Sequence, residues 1–190
     1  FVERTELKGK LRVDMPTDIA NSIIIPKLPD FFSRYPGITL ELSCTDRRVD
    51  LVQEGFDCVV RAGAVYDKNL VAKLIGEMPV FNLASPDYLA RWGKPSSPAQ
   101  LAEHATIVGT QRPSLREWRF GPQENGERVR LTPRLLLNDV EAQLLAVRAG
   151  KGVARLLSYQ VADDLAAGTL VRLLTDHEPL PMPVQLVAQQ

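Results

Sequence analysis

The sequence has few of the residues on which metal sites and most catalytic sites depend. Its 190 residues include two cysteines and two histidines, too few for a disulfide framework and without the spacing of a zinc site. Neither a Gly-x-Ser-x-Gly nucleophile elbow nor a phosphate-binding P-loop occurs. We therefore expect no metal, no cofactor and no enzymatic activity.

An excess of charge and a long apolar run are also missing. Lysine plus arginine is 23 and aspartate plus glutamate is 23, which argues against nucleic-acid binding by this chain alone. No apolar run reaches the length of about 18 residues that a membrane span needs, so we expect no membrane contact. Apolar residues make up 45% of the chain, enough for a true core. Cys44 and Cys58 are interpreted as buried thiols in a reducing compartment.

The start of the chain is typical of a fragment. No signal peptide is present, and the chain begins with phenylalanine, its first methionine being Met15. We interpret residues 1–8 as the end of a linker that belongs to a longer protein.

The segment Asp46–Arg61 has the clearest local pattern. Asp46 is a possible helix cap, and apolar Val49, Leu51 and Val52 follow at helical spacing. Gly55 stands where a helix ends in a left-handed turn. Residues 58–60 then read as a strand buried on both faces. A helix, a glycine stop and a strand are half of a βαβ unit.

The first third of the chain continues this rhythm. Leu11, Val13 and Met15 alternate with polar residues as in a strand, a helical pattern covers residues 19–35, and a second strand follows from Ile38. Pro26 and Pro29 interrupt the helical pattern, so the helix either kinks or restarts there. Residues 10–62 therefore predict a parallel α/β sheet.

Two strands without a helix between them, within residues 69–84, mark a crossing into a second lobe. That lobe is predicted to hold short helices, a hairpin within residues 110–130, and a helix capped by Asn138 with Glu141 three residues later. Predicted crossings near residues 76–80 and 178–184 join two similar α/β lobes, with 9–77 and 184–190 in the first and 78–183 in the second. A cleft between α/β lobes is a common ligand site.

Polar residues that follow predicted strands are the candidates for binding. Thr17-Asp18, Thr45-Asp46 and Asn138-Asp139 place helix N-termini at strand ends, where a carboxylate or phosphate can be held. The alternative is that they only cap helices. Arg61 ends the third strand on the same side and either pairs with an anion or forms an ordinary surface salt bridge.

The chain resembles the effector-binding region of LysR-type transcriptional regulators over roughly residues 8–188. The motifs that carry the resemblance are Gly9-x-Leu-Arg-Val13, Pro26-x-Leu-Pro-x-Phe31, Tyr35-Pro36, Asp46-Arg-x-Val-Asp-Leu-Val-x-Glu-Gly-x-Asp57, Ala84-Ser-Pro-x-Tyr-Leu89, Gly93-x-Pro95, Asn138-Asp139 and Ala149-Gly-x-Gly-Val-Ala154. Each motif is weak alone, but together, in order and at compatible spacing, they are specific.

The resemblance implies two Rossmann-like lobes of the type 2 periplasmic-binding-protein fold. It implies a bacterial, cytoplasmic regulator that contacts DNA only through a missing N-terminal winged helix-turn-helix. A small, often anionic effector would enter the interlobe cleft and change the DNA-bound assembly of a homodimer or tetramer. Self-association would use helices within 19–33 and 139–149. The implied effector contacts are Thr17, Asp18, Thr45, Asp46, Gly109, Thr110 and Asn138, to which the strand pattern adds Arg61.

Two features depart from the family pattern. The chain stops before the basic segment and final helix that usually complete the first lobe, and Asp18 replaces a small or polar residue, which weakens a simple carboxylate-binding mode. The alternatives to a sensor are a solute-binding protein that delivers a ligand to a transporter, an enzyme that uses the same cleft, and a purely structural dimerisation module.

Overall fold

The computed structural model describes residues 7–47, 49–51, 53–63, 69–110, 116–122 and 126–189. It divides into two compact units. Unit 1 runs to Glu77 and also contains Pro183–Gln190, whereas unit 2 is the continuous segment Met78–Met182. The predicted linker end falls mostly outside the described residues. No described helix has the length and apolar character needed to cross a membrane.

The elements follow one another in a mixed α/β order. The strands are β1 (Lys8–Met15), β2 (Gly37–Cys44), β3 (Cys58–Ala62), β4 (Leu70–Met78), β5 (Val80–Ala84), β6 (Thr106–Gly109), β7 (Glu117–Arg119), β8 (Arg128–Arg130), β9 (Leu135–Leu137), β10 (Val153–Leu157), β11 (Val171–Leu173) and β12 (Met182–Gln189). The α-helices are α1 (Thr17–Ile19), α2 (Leu28–Arg34), α3 (Pro86–Trp92), α4 (Val140–Arg148) and α5 (Ala162–Ala167).

Unit 1 is built on a five-stranded sheet in the order β2-β1-β3-β12-β4. Strand β1 pairs in parallel with β2 and with β3, as the alternation predicts, and β12 returns antiparallel to β3. The last strand therefore lies inside the sheet. Its Val187 packs with Leu51, Phe56 and Val59 in the apolar core of this unit.

The predicted helix after Asp46 is wrong. Residues 46–47 form a bend, and the described residues from Leu51 to Gly55 form a turn rather than a helix; Val52 lies outside the described residues. Asp50 stabilises this turn, because its Oδ1 accepts from Gln53 N at 3.0 Å and its carbonyl accepts from Glu54 N at 3.0 Å. Burying Leu51 and Phe56 in the core needs only one turn. Gly55 has φ +69° and ends it, as predicted.

Arg12 holds this turn against the sheet. Its Nη1 donates to the carbonyls of Glu54 at 3.0 Å and Gly55 at 2.8 Å, and its Nε donates to Glu41 Oε1 at 2.9 Å. Lys10 also pairs with Glu41. Hydrogen bonds from Lys10 and Arg12 hold the pKa of Glu41 below its usual value. The guanidinium of Arg12 thus satisfies backbone carbonyls that helical hydrogen bonds would have satisfied in the predicted helix.

The helical pattern after β1 is continuous but changes type at the prolines. Helix α1 leads into a π-helical segment, Ala20–Ile24, then a 3-10 turn, Ile25–Lys27, and then α2. Pro26 has no N–H to donate to the preceding turn. The wider π turn before it is closed by a hydrogen bond from Ile25 N to the Ala20 carbonyl. Of the two possibilities, restarting fits better, since Pro29 lies in the first turn of α2.

Unit 2 has a five-stranded sheet in the order β11-β5-β10-β6-β9, with α4 among the elements packed on it. The predicted hairpin is present as antiparallel β7 and β8, apart from residues 111–115 and 123–125, which lie outside the described residues. The predicted cap of α4 is wrong by one residue. Asp139, in extended backbone, accepts from Ala142 N at 2.7 Å. Asn138 belongs to the bend after β9, so Glu141 is too early for a capping box.

The prediction of two buried thiols is also wrong. Cys44 is exposed, and Cys58 is half-buried. Cys44 is the last residue of β2, and Cys58 is the first residue of β3. Limited desolvation of the thiol, with the negative charge of Asp14 adding to it, still raises the pKa of Cys44.

Candidate functional site

A buried aspartate organises the strand ends of unit 1. Asp14 lies on β1 and its side chain is 0% exposed. The alternating pattern predicts Asp14 on a polar face, but the structure buries it where β1 lies between β2 and β3. A buried carboxylate requires partners, and two predicted site residues supply them.

Thr45 and Arg61 are those partners. Thr45 Oγ1 donates to Asp14 Oδ1 at 3.1 Å, and Arg61 Nη2 donates to Asp14 Oδ2. Arg61 Nη1 donates to the Val60 carbonyl at 2.8 Å. Its side chain is 18% exposed, so the surface salt bridge considered for Arg61 is instead a largely buried pair. The charge of Arg61 is already balanced by Asp14.

Thr17 joins the same edge from the first turn of α1. Its Oγ1 donates to the Cys44 carbonyl at 3.2 Å, while Thr45 N donates to the Met15 carbonyl at 3.0 Å. These bonds tie the turn after β1 to the turn after β2. We call Asp14, Thr17, Thr45 and Arg61 the strand-end cluster of unit 1.

The two acidic candidates of unit 1 are placed differently. Asp18 follows Thr17 in α1 and is half-buried, whereas Asp46 is exposed in the bend after β2. The predicted helix N-terminus at Thr45-Asp46 does not exist, so this turn offers side chains rather than a helix dipole.

The second set of candidates meets at one edge of unit 2. Gly109 ends β6 and pairs with Leu137 at the end of β9. Thr110 N donates to the Leu137 carbonyl at 2.9 Å, and Asn138 follows directly before the cap of α4. Thr110 and Asn138 are both exposed. We call Gly109, Thr110 and Asn138 the strand-end cluster of unit 2.

Sequence reasoning missed two polar groups of unit 1. Asp14 is one, and Gln185 on β12 is the other. Gln185 pairs in register with Arg61, and its Oε1 is buried without a hydrogen-bond partner. Only the pairing of β12 with β3 brings Gln185 to this place, and no local pattern shows a long-range antiparallel partner.

A cavity of about 250 Å³ lies in unit 2. Its described lining includes Phe120, Gly121, Glu127 and His177. None of the predicted site residues contributes to it. Among the described residues, no group of three or more histidine, cysteine or acidic side chains is arranged to hold a metal ion.

Comparison with known proteins decides the family. The family model of the LysR substrate binding domain matches residues 4–190. The chain belongs to this family. It is similar to the HTH-type transcriptional regulator YhjC of Escherichia coli K12, with 37% identity over 99% of the chain and 64% of the relative. It is also similar to an HTH-type transcriptional repressor of Pseudomonas aeruginosa, with 33% identity over 94% of the chain and 57% of the relative.

A solved LysR-type structure has the same fold. The regulatory domain of CrgA from Neisseria meningitidis matches with a TM-score of 0.84 and 28% identity, covering 97% of this chain and 90% of that one. The predicted α/β fold class, a two-lobe type 2 periplasmic-binding-protein-like fold, is thereby confirmed. The chain spans less than two thirds of the curated relatives described above. Those relatives are transcriptional regulators, which are not enzymes, and this favours the effector-binding domain of a regulator over a solute-binding protein.

Proposed function

We propose that the whole protein is a bacterial transcription regulator that acts in the cytoplasm, binds DNA through an N-terminal part outside this chain, and senses a small molecule through this domain. The observation that carries the proposal is the family match across residues 4–190, together with relatives that are HTH-type regulators. The balanced charge of the chain agrees with a domain that does not itself grip DNA.

The effector contacts are proposed at the two strand-end clusters and at the two acidic residues that follow Thr17 and Thr45. They are Thr17, Asp18, Thr45, Asp46 and Arg61 in unit 1, and Gly109, Thr110 and Asn138 in unit 2. Backbone and hydroxyl groups at the carboxyl ends of parallel strands are a common location for ligands in α/β folds. Hydroxyl groups can accept as well as donate, so Thr17 and Thr45 can still accept a hydrogen bond from a ligand.

The chemistry of unit 1 supports a particular kind of effector. Because Asp14 balances Arg61, the cluster has no net positive charge to attract a simple anion. The buried Gln185 Oε1 beside Arg61 is an acceptor in need of a donor. We therefore favour an effector held by hydrogen bonds and carrying at least one donor over an effector recognised by negative charge alone.

Self-association is proposed through the helical segments 19–33 and 139–149. Each exposes large apolar side chains: Ile25 is 45% and Phe32 is 40% exposed in the first, and Leu145 is 57% exposed in the second. Exposed apolar residues on helices are suited to a subunit interface.

The effector proposal is tested by ligand screening with matched variants. Aromatic and aliphatic carboxylates, phosphates, amines and polyols are screened by thermal shift, since a ligand at 100 times its Kd stabilises by about 2.7 kcal/mol. For each hit, calorimetry compares Thr17→Val with Thr39→Val, an exposed threonine in the middle of β2. In unit 2, Thr110→Val is compared with Thr175→Val, which is also exposed.

Loss of one hydrogen bond should raise the Kd by about 3- to 10-fold in Thr17→Val and Thr110→Val. The two control variants should keep the wild-type Kd. Equal affinities in all four variants would place the effector elsewhere.

A further inference from the structure

Arg155, on β10 in unit 2, is a half-buried cation whose hydrogen-bond partners among the described residues are all neutral. Its Nε donates to Asn82 Oδ1 at 2.9 Å and its Nη1 to the Arg119 carbonyl at 2.9 Å. The rings of Trp118 and Phe120 lie 4.6 and 4.5 Å from its Cζ. Burial lowers the pKa of Arg155 to about 9, which still leaves it charged at neutral pH.

Two nitrogen atoms at this place have no partner. Arg155 Nη2 and Asn82 Nδ2 are both buried and make no hydrogen bond. Asn82 is 0% exposed, and it stands directly opposite Arg155 in the antiparallel pairing of β5 and β10. Both atoms are donors, so neither can satisfy the other.

Arg148 shows how the same edge of a guanidinium is satisfied elsewhere in this unit. Its Nε and Nη2 donate to the two carboxylate oxygens of Asp164, at 2.8 and 2.7 Å. At Arg155 an amide replaces the carboxylate. Exchanging the oxygen and nitrogen of the Asn82 amide does not satisfy both groups. The NH2 group of Asn82 would then face the N–H of Arg155 Nε, and both are donors.

An acceptor with negative charge would satisfy both donors and balance the charge of Arg155. Partial burial of a cation without a counter-ion is costly, and so is each unsatisfied buried donor. The 2.9 Å bond between Arg155 Nε and Asn82 Oδ1 brings the guanidinium and the amide side by side. The two donors are therefore near enough to share one acceptor atom.

We propose that Asn82 and Arg155 bind a small inorganic anion of the size of chloride, held by Asn82 Nδ2 and Arg155 Nη2 inside unit 2. This site is independent of the proposed effector contacts, because none of those residues takes part in it. The anion would complete the charge balance of unit 2 and make its stability depend on halide concentration.

The neighbouring Trp118 makes the proposal measurable. Trp118 is only 4% exposed, so collisional quenching from solvent is weak, whereas Trp92 is 69% exposed and is removed as Trp92→Phe. Iodide replaces gluconate stepwise at constant ionic strength while the fluorescence of Trp118 is recorded. We expect quenching that saturates and that chloride reverses by competition.

Variants separate anion binding from general salt effects. Asn82→Asp supplies a carboxylate at the site, so we expect it to abolish saturable quenching and the dependence of the Tm on chloride. Asn69→Asp adds the same charge at an exposed position of unit 1 and should retain both.

Linear quenching that chloride does not compete with would overturn the proposal, and this measurement does not need any variant at Asn82 to fold. A chloride-independent Tm in the wild type would also overturn it, since a water molecule would then fill the place. Saturable quenching that persists in Asn82→Asp would show that the anion binds at another position, and this would also refute the assignment.

Discussion

Replacing Asp14 by asparagine tests whether the strand-end cluster holds unit 1 together. The change keeps the shape of the side chain but removes its charge, and it leaves Arg61 without a counter-ion. Breaking a buried ion pair from one side costs about 3–5 kcal/mol. Because the Arg61 side chain is 18% exposed and solvent can partly compensate it, we expect the lower end, about 3 kcal/mol.

The assay must report on unit 1 separately. The two tryptophans, Trp92 and Trp118, both belong to unit 2, so their fluorescence follows that unit only. Amide hydrogen exchange in β1, β2 and β3 follows unit 1. A loss of about 3 kcal/mol corresponds to about 150-fold faster exchange there, at 1.4 kcal/mol per tenfold change. The amides of β10 and the fluorescence transition should stay unchanged.

A double-mutant cycle decides whether the pair itself is responsible. Arg61→Met alone leaves a buried, unpaired carboxylate and should be at least as damaging as Asp14→Asn. The double variant should be more stable than the sum of the single effects predicts, by about 1.5 kcal/mol or more. Additive effects within about 0.5 kcal/mol, or fast exchange in unit 2 as well, would refute the argument.

Three further changes have defined outcomes. Gly152→Ala places a Cβ 2.4 Å from the Ala105 carbonyl oxygen at φ +151°, so it should lower the free energy of unfolding in urea by at least about 2 kcal/mol. Gly168→Ala, with open space around the new Cβ, should lower it by about 1 kcal/mol. Equal losses of stability in the two variants would exclude the clash at Gly152. Leu145→Glu should weaken self-association as measured by sedimentation. Leu180→Glu, which replaces another exposed leucine of unit 2, should leave self-association unchanged. Identical sedimentation of the two variants would show that α4 is not part of the interface. Burial lowers the pKa of His104, so the unfolded chain protonates first: stability should be constant above pH 7 and fall as the pH drops through 6.5. His104→Gln should flatten this dependence of the urea midpoint, and a slope that persists would assign it to other groups.

Local patterns predicted much of the fold. The alternation in β1 and β2 and the left-handed glycine at Gly55 depend on near neighbours only, and the structure has them. The helix after Asp46 failed because two large apolar side chains could be buried by a single turn. In that turn Arg12, distant in sequence, satisfies the carbonyls.

The candidate site was predictable in part for the same reason. Thr17, Thr45 and Arg61 follow strands, and strand ends are visible in the sequence. Asp14 was not predictable, because its partners Thr45 and Arg61 are 31 and 47 residues away in the sequence. Gln185 depends on a pairing between residues more than a hundred positions apart.

The position of β12 has a consequence for synthesis. Unit 2 is one continuous segment, so it can begin to fold as soon as Met182 has left the ribosome. The sheet of unit 1 must wait, because β12 inserts between β3 and β4, and β4 has no other neighbour in that sheet. During translation, β3 and β4 present open edges for the time needed to make about a hundred residues, at about 5–20 residues per second. The first strands made are thus the last to be completed, and this interval is when the nascent chain is most exposed to strand-edge aggregation.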